Sequence, residues 1–196
     1  GDCFFQEARK ESVDAQAVVV NHTLFFSLLD PDAQSEGSGF LFPNDFVVFD
    51  EAHTLESVAS NQLGLRLSQA GLRFDLQRPY NPRSRKGLLR TLGAAKAMIG
   101  VESALAEVDD FFDLLGEVSE FGDWGREFRV REPEIVPNTL AEPLRELSND
   151  LDIIAEGIES ENSRAEVTEG ARRLREAHGA LKVFLDQEDE GCVYWV

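Results

Sequence analysis

Two rhythms of apolar and polar positions run along this chain. In the first sixty residues the apolar positions come in short unbroken runs. Ala17-Val18-Val19-Val20 and Phe46-Val47-Val48-Phe49 are β-branched or aromatic throughout, the pattern of strands covered on both faces. Phe4 to Glu11 reads as a short helix, and Thr54 to Ala59 as the start of another. Turn residues fill Asp30 to Asp32 and Ser35 to Gly39. Strand, short turn, helix is the unit of a parallel α/β sheet.

From about Asn61 the rhythm changes to the helical period. Leu88, Leu89, Leu92, Ala95 and Ile99 fall on one helical stripe. Leu140, Leu144, Leu147, Leu151, Ile154 and Ile158 fall on a second, and Ala171, Leu174, His178, Leu181 and Leu185 on a third. Breaks are expected at Pro79 to Pro82, Gly122 to Gly125 and Pro133 to Pro137. After the acidic segment Asp186 to Glu190, Val193-Tyr194-Trp195-Val196 is a short strand signal. The expected fold is an α/β part with short parallel strands over residues 1–60, a large all-α insert over 61–190, and a strand returning to the α/β part over 191–196. The chain is predominantly helical overall.

Composition narrows the function. The 196 residues hold 19 basic and 37 acidic side chains, a formal charge of −18. A uniformly basic nucleic-acid surface is excluded, although a local basic patch is not. No apolar run approaches the roughly 20 residues of a membrane span, and no signal peptide is visible, so a cytoplasmic protein without membrane contact is expected. Two cysteines, Cys3 and Cys192, do not make a disulfide scaffold. Gly1 stands first and Met98 is the sole methionine, which reads as a piece of a longer protein.

The sharpest chemical signal is Asp50-Glu51-Ala52-His53, directly after the second apolar run. In parallel α/β sheets ligands bind just beyond the carboxyl ends of strands. There Asp50 can hold Mg²⁺ on a nucleotide, Glu51 can polarise an attacking water, and His53 can link the nucleotide site to another surface. The plainer reading is a pair of acids favoured by the positive end of a helix.

Three segments in order, Cys3-Phe4-Phe5-Gln6-Glu7-Ala8-Arg9, Ala17 to Phe25 with Asn21-His22 inside it, and Phe46 to Glu56, resemble the XPD/DinG group of iron–sulfur superfamily-two DNA helicases, and within it the bacterial DinG branch. The resemblance covers about the first 56 residues and, more loosely, the closing Val193 to Val196. It implies an ATP-dependent motor that translocates on single-stranded DNA and unwinds duplex. Residues 61–190 would be its helical Arch insert. It also implies that Asp50 coordinates Mg²⁺, that Glu51 activates water for ATP hydrolysis with His53 beside it, and that Cys3 is the last of four thiolates on a 4Fe–4S cluster. The other three thiolates are missing, and Cys192 does not fit the family pattern.

Other motor parts are absent too. The lysines Lys10, Lys86, Lys96 and Lys182 follow Arg9, Arg85, Ala95 and Leu181, so the Gly-Lys-Ser/Thr of a phosphate-binding loop does not occur. Gly125-Arg126-Glu127-Phe128-Arg129 only imitates the tail of the last motor motif. The chain by itself is therefore expected to be inactive, its function belonging with the remainder of a helicase core. Two other readings stand beside this one: a DinG-like exonuclease or damage-response homologue with a degenerate motor, and a non-catalytic helical interaction module in which Asp50 and Glu51 only cap a helix.

Arg78, Arg83, Arg85, Lys86 and Arg90 surround Tyr80, with no acid from Arg78 to Arg90. This is the expected contact for single-stranded DNA, combining phosphate neutralisation with stacking on Tyr80; the alternative is a solvated loop. Arg172, Arg173 and Arg175 interleave with Glu169 and Glu176 as a salt-bridged helix face. Asp109, Asp110, Asp113 and the acids from Glu156 to Glu161 are expected to face solvent. Asn21 reads as a turn cap or a site residue, and His22 as packed or site-lining. His178 reads as a core residue, and the three histidines lack zinc-site spacing.

Overall fold

The computed structural model describes residues 4–28, 46–119, 127–189 and 191–196, with the backbone alone at 5, 6, 9, 13, 14 and 28. The chain divides into two units, residues 1–66 and 67–196.

The first unit holds α1 (Phe4–Asp14), α2 (His22–Leu28), a single 3₁₀ turn (Ala52–Thr54) and α3 (Leu55–Leu63). Asn21 starts α2 by accepting a hydrogen bond from the Leu24 amide at 2.7 Å, the ordinary work of an N-cap. Helix α2 packs on α3. Phe49 is clamped against α2, edge-on to Phe25 at 5.0 Å and stacked near Phe26 at 6.4 Å between ring centroids. The parallel strands expected at Ala17–Val20 and Phe46–Phe49 do not form. Both segments lie outside any ladder, and Val19 and Val48 are 98% and 93% exposed. A strand covered on both faces needs hydrogen-bonded neighbours and flanking layers, and the described residues of this unit supply neither.

The second unit holds α4 (Gln69–Gln77), α5 (Leu88–Thr91), α6 (Ala95–Val118), β1 (Arg129–Val130), α7 (Ala141–Glu156), α8 (Glu161–Asp186) and β2 (Tyr194–Trp195). Its centre is the α7–α8 hairpin, joined by residues 157–160 and started at Ser160, whose hydroxyl caps α8. Leu144, Leu147 and Leu151 of α7 bury with Val167, Ala171, Leu174, Leu181 and Leu185 of α8. Each fully buried aliphatic side chain contributes roughly 1.5–3 kcal/mol. Helix α6 adds Val101, Ala104, Val108, Phe111 and Leu115 to the same core, and α4 adds Leu72 and Leu76. The α7 and α8 stripes thus lie where the spacing puts them, with His178 half-buried.

The stripe from Leu88 to Ile99 is not one helix. It breaks at residues 92–94, where Gly93 takes a φ of +67°, a left-handed step suited to a glycine that closes a helix. Beyond the break Ile99 points outward, 67% exposed. The closing segment does not return to an α/β sheet. Tyr194–Trp195 pairs antiparallel with Arg129–Val130, the sole sheet among the described residues. The break expected at Gly122 to Gly125 lies outside the described residues; those at Pro79–Pro82 and Pro133–Pro137 are present. No described helix is long and apolar enough to cross a membrane.

Outside this core, carboxylates take up the arginines of the long helices. Arg172 pairs with Glu169 and Glu176, Arg175 with Asp152, and Arg173 reaches both Glu169 and Asp75 of α4. Asp109, expected in solvent, is half-buried and accepts from Arg73 and Gln69, and the Arg73 guanidinium holds its carboxyl below the usual carboxylate range.

Leu151→Ala is expected to lower stability by about 2–5 kcal/mol, read by urea denaturation, while Ile153→Ala on the exposed side of the same helix moves it by less than about 0.5 kcal/mol. Arg172 and Arg173 together lower the Glu169 carboxyl to about 2. A depressed carboxylate stabilises the fold above its unfolded value and loses that contribution as pH falls. A titration from pH 5 to 2 followed by circular dichroism should therefore show a loss that Glu169→Gln removes; the effect is small because the cluster is solvent-exposed.

Candidate functional site

The acidic motif is placed by Phe49. With that ring held against α2, the chain leaves the aromatic clamp at Asp50 and turns directly into the 3₁₀ turn. Asp50 closes on its neighbour, one carboxylate oxygen accepting from the Glu51 amide at 2.9 Å. Glu51 itself has φ 49° and ψ 45°, the left-handed region that costs a non-glycine residue about 1–2 kcal/mol. The Thr54 amide and hydroxyl both donate to the Glu51 carbonyl, at 3.0 and 3.1 Å, and hold that conformation. His53 Nδ1 stands 3.2 Å from Glu51 Oε2, with both side chains largely exposed. The carboxylates thus sit at the end of an extended, unpaired segment rather than of a sheet strand.

Two residues beyond the four-letter motif complete the arrangement. His22 Nδ1 lies 3.1 Å from the Thr54 hydroxyl, and its ring meets Phe49 edge-on at 5.8 Å. Asn21 is the helix cap and His22 the packed partner. Together they tie the turn after the first apolar run to the backbone of Glu51. The Asn21-His22 step was legible as a motif, but its link to Thr54 was not, because nothing local relates positions 22 and 54.

The basic segment forms a tight turn in the second unit. Asn81 and Lys86 bridge across it, the Asn81 amide donating to the Lys86 carbonyl at 2.8 Å. The Asn81 side-chain oxygen accepts from the amides of Arg83 and Ser84 at 3.0 and 3.1 Å, an Asx turn. Arg85 takes φ 54° and Gly87 φ 140°. A Cβ on Gly87 would meet the Pro79 carbonyl oxygen at 2.4 Å, so the turn closes only over glycine. Arg78, Arg83, Arg85, Lys86 and Arg90 are all exposed. Tyr80 corrects the expectation of a stacking platform: it is 6% exposed, part of the core, with its hydroxyl 3.5 Å from Glu102. The ring is apolar enough to be worth burying, and it anchors the turn beside Leu89 instead of meeting a base.

The described residues contain no group of three histidine, cysteine or acidic side chains able to hold a metal. Cys3 lies outside them. Cys192 sits in an exposed turn, its thiol donating to the Asp189 carboxylate at 3.3 Å, which pushes the thiol up from its ordinary value. A 4Fe–4S cluster needs four thiolates, and the chain's two cysteines do not fit that donor set. Mg²⁺ is different: held on a nucleotide's phosphates it asks for one or two carboxylates, which the exposed Asp50 fits.

No family model and no solved structure matches this chain. It is similar to a protein of Haemophilus influenzae named ATP-dependent DNA helicase YoaA, 31% identical over 199 aligned positions that cover 99% of this chain and 29% of that protein. It is also similar to the Escherichia coli K12 protein of the same name, 47% identical over 72 positions that cover 36% of this chain and 11% of the relative. The chain thus spans less than a third of the length of either relative, and what it resembles is a part of proteins named as DNA helicases.

Proposed function

We propose that the chain is a part of an ATP-dependent DNA helicase of the iron–sulfur XPD/DinG kind, carrying the acidic nucleotide motif and an Arch-like helical insert. The observation that carries this reading is Asp50-Glu51-Ala52-His53 on a turn whose Glu51 is held in a left-handed conformation, in a chain matched along 99% of its length by a protein named as a helicase. Strain of that kind concentrates at working sites.

In this reading Asp50 would hold the Mg²⁺ that accompanies ATP, which would neutralise phosphate charge, and Glu51 would orient the attacking water and take its proton. Phosphoryl transfer asks for positioning and charge neutralisation above all. His53 keeps Glu51 aimed through their contact. The phosphate cradle and the second motor domain are supplied by the remainder of the helicase core. Cys3 would supply one of four thiolates to a cluster only with three more from the longer protein, and no step of the hydrolysis runs through it. The basic turn neutralises backbone phosphates of single-stranded DNA through Arg83, Arg85 and Lys86, flanked by Arg78 and Arg90, with Tyr80 as its buried anchor.

In the longer protein that contains this chain, Glu51→Gln is expected to lower DNA-stimulated ATP turnover by roughly 10²–10⁴-fold with nucleotide binding retained; unchanged turnover refutes the assignment. The chain alone should show no turnover above that variant. Replacing Arg83, Arg85 and Lys86 by Ala should weaken single-strand binding and flatten its log–log salt dependence by about 2, since each phosphate contact on a single strand contributes about 0.7 to the slope. An unaltered slope removes the turn from the DNA path.

A further inference from the structure

The β1–β2 ribbon has two unlike faces. Phe128, Val130, Tyr194 and Val196 point inward: Val130 is 3% exposed, and Tyr194 meets Phe184 of α8 edge-on at 6.5 Å. Arg129, Arg131, Val193 and Trp195 point outward and are exposed, Trp195 by 55%. The register sets Arg129 opposite Trp195. Phe128 and Val196 exchange both backbone hydrogen bonds, at 2.9 and 2.8 Å, so the next pair, Arg129 and Trp195, is the non-hydrogen-bonded kind, in which side chains stand closest. An exposed indole therefore has a guanidinium directly across the ladder and a second one two residues along.

The two arginines of this face differ from the cations of the longer helices in having no ion pair among the described residues. In the second unit the cations of α4, α6, α7 and α8 each have a partner: Arg73, Lys96, Arg145, Arg172, Arg173, Arg175 and Lys182 pair with carboxylates, and Arg164 donates to the Ile158 carbonyl. Among the described residues no ion pair links Arg129 or Arg131 to an acid, although Glu127, Glu132 and Glu134 are close in sequence. In the 187–192 turn Asp189 accepts from the Gly191 amide at 2.8 Å and from the Cys192 thiol, and forms no ion pair with either arginine. That turn and the two arginines line one depression, together with Gln187 and Tyr194.

We infer that the outer face of this ribbon is a second contact for single-stranded nucleic acid, in which a base stacks on Trp195 and the adjoining phosphates meet Arg129 and Arg131. Both halves of the recognition are present: an exposed aromatic platform and, on the same face, two guanidinium groups without an ion pair among the described residues. A duplex offers no unstacked base, so the face distinguishes single strands from double. The inference extends the single-strand reading of the chain to a surface separate from the basic turn.

The test is anisotropy of a fluorescein-labelled oligothymidylate titrated with the whole 196-residue chain. Trp195→Ala should weaken binding by about 5- to 150-fold, the loss of one stacked base, and Trp195→Phe should restore most of it. Arg129→Ala with Arg131→Ala should flatten the salt slope by about 1.4, with circular dichroism unchanged in every variant. Should the ribbon variants bind as the unaltered chain does while the Arg83, Arg85 and Lys86 replacement loses binding, the ribbon is overturned and the turn stands. Should the unaltered chain fail to bind the oligonucleotide at low salt, both are overturned. Loss of self-association in Trp195→Ala, with oligonucleotide affinity intact, overturns the inference in favour of a protein interface.

Discussion

The apolar seam between α7 and α8 is the constraint on which the second unit depends. It fixes α8, and α8 carries the rest. Along its length Arg173 reaches across to Asp75 and so ties α4 in place. Near its end the Glu134 amide donates to the Leu185 carbonyl, and Phe184 backs Tyr194. The basic turn at one place and the two-stranded ribbon at another are therefore displayed by the same buried leucines. Neither has enough core of its own to hold a shape.

The first unit shows the opposite regime. Its fixed point is one ring, Phe49, set among aromatic side chains of α2, and from it the acidic turn follows directly. Much of the apolar surface on either side stays in contact with solvent, including Val19, Phe46 and Val48. That asymmetry explains which expectations from sequence held. The α7 and α8 stripes were legible because a long amphipathic helix contains its own pattern and needs only one covering face. The two β-branched runs were legible as strand-like, but a sheet is a property of several segments, and no local pattern says whether the neighbours are at hand.

The candidate site was legible in the same uneven way. Asp50, Glu51 and His53 stand out as letters because their spacing is contiguous. The His22 contact that fixes Thr54, and through it Glu51, was hidden, since it joins positions 32 apart. Tyr80 was misread because composition cannot say which side of a turn a ring faces; the tight closure over Gly87 turns it inward. The long-helix cations looked much like those of the turn, yet the distribution of carboxylates separates them. Acids one helical turn away or on the neighbouring helix pair with nearly all of the first group, while no ion pair is formed by the second. Among the described residues of the second unit, the cations of the four longer helices are taken up by partners, while those of the basic turn and of the ribbon have no ion pair.

The absence of room beside Gly87 has one more consequence. Because the crossing of the chain at Pro79 is set by that hydrogen-only position and by the buried Tyr80 and Leu89, the tip from Arg83 to Lys86 holds its shape through backbone ties to Asn81 and leaves its side chains exposed. Those side chains can be exchanged without disturbing the frame where the residue at 85 accepts its left-handed backbone. The loop is a natural docking port for engineered specificity, provided that the glycine hinge beneath it is left untouched.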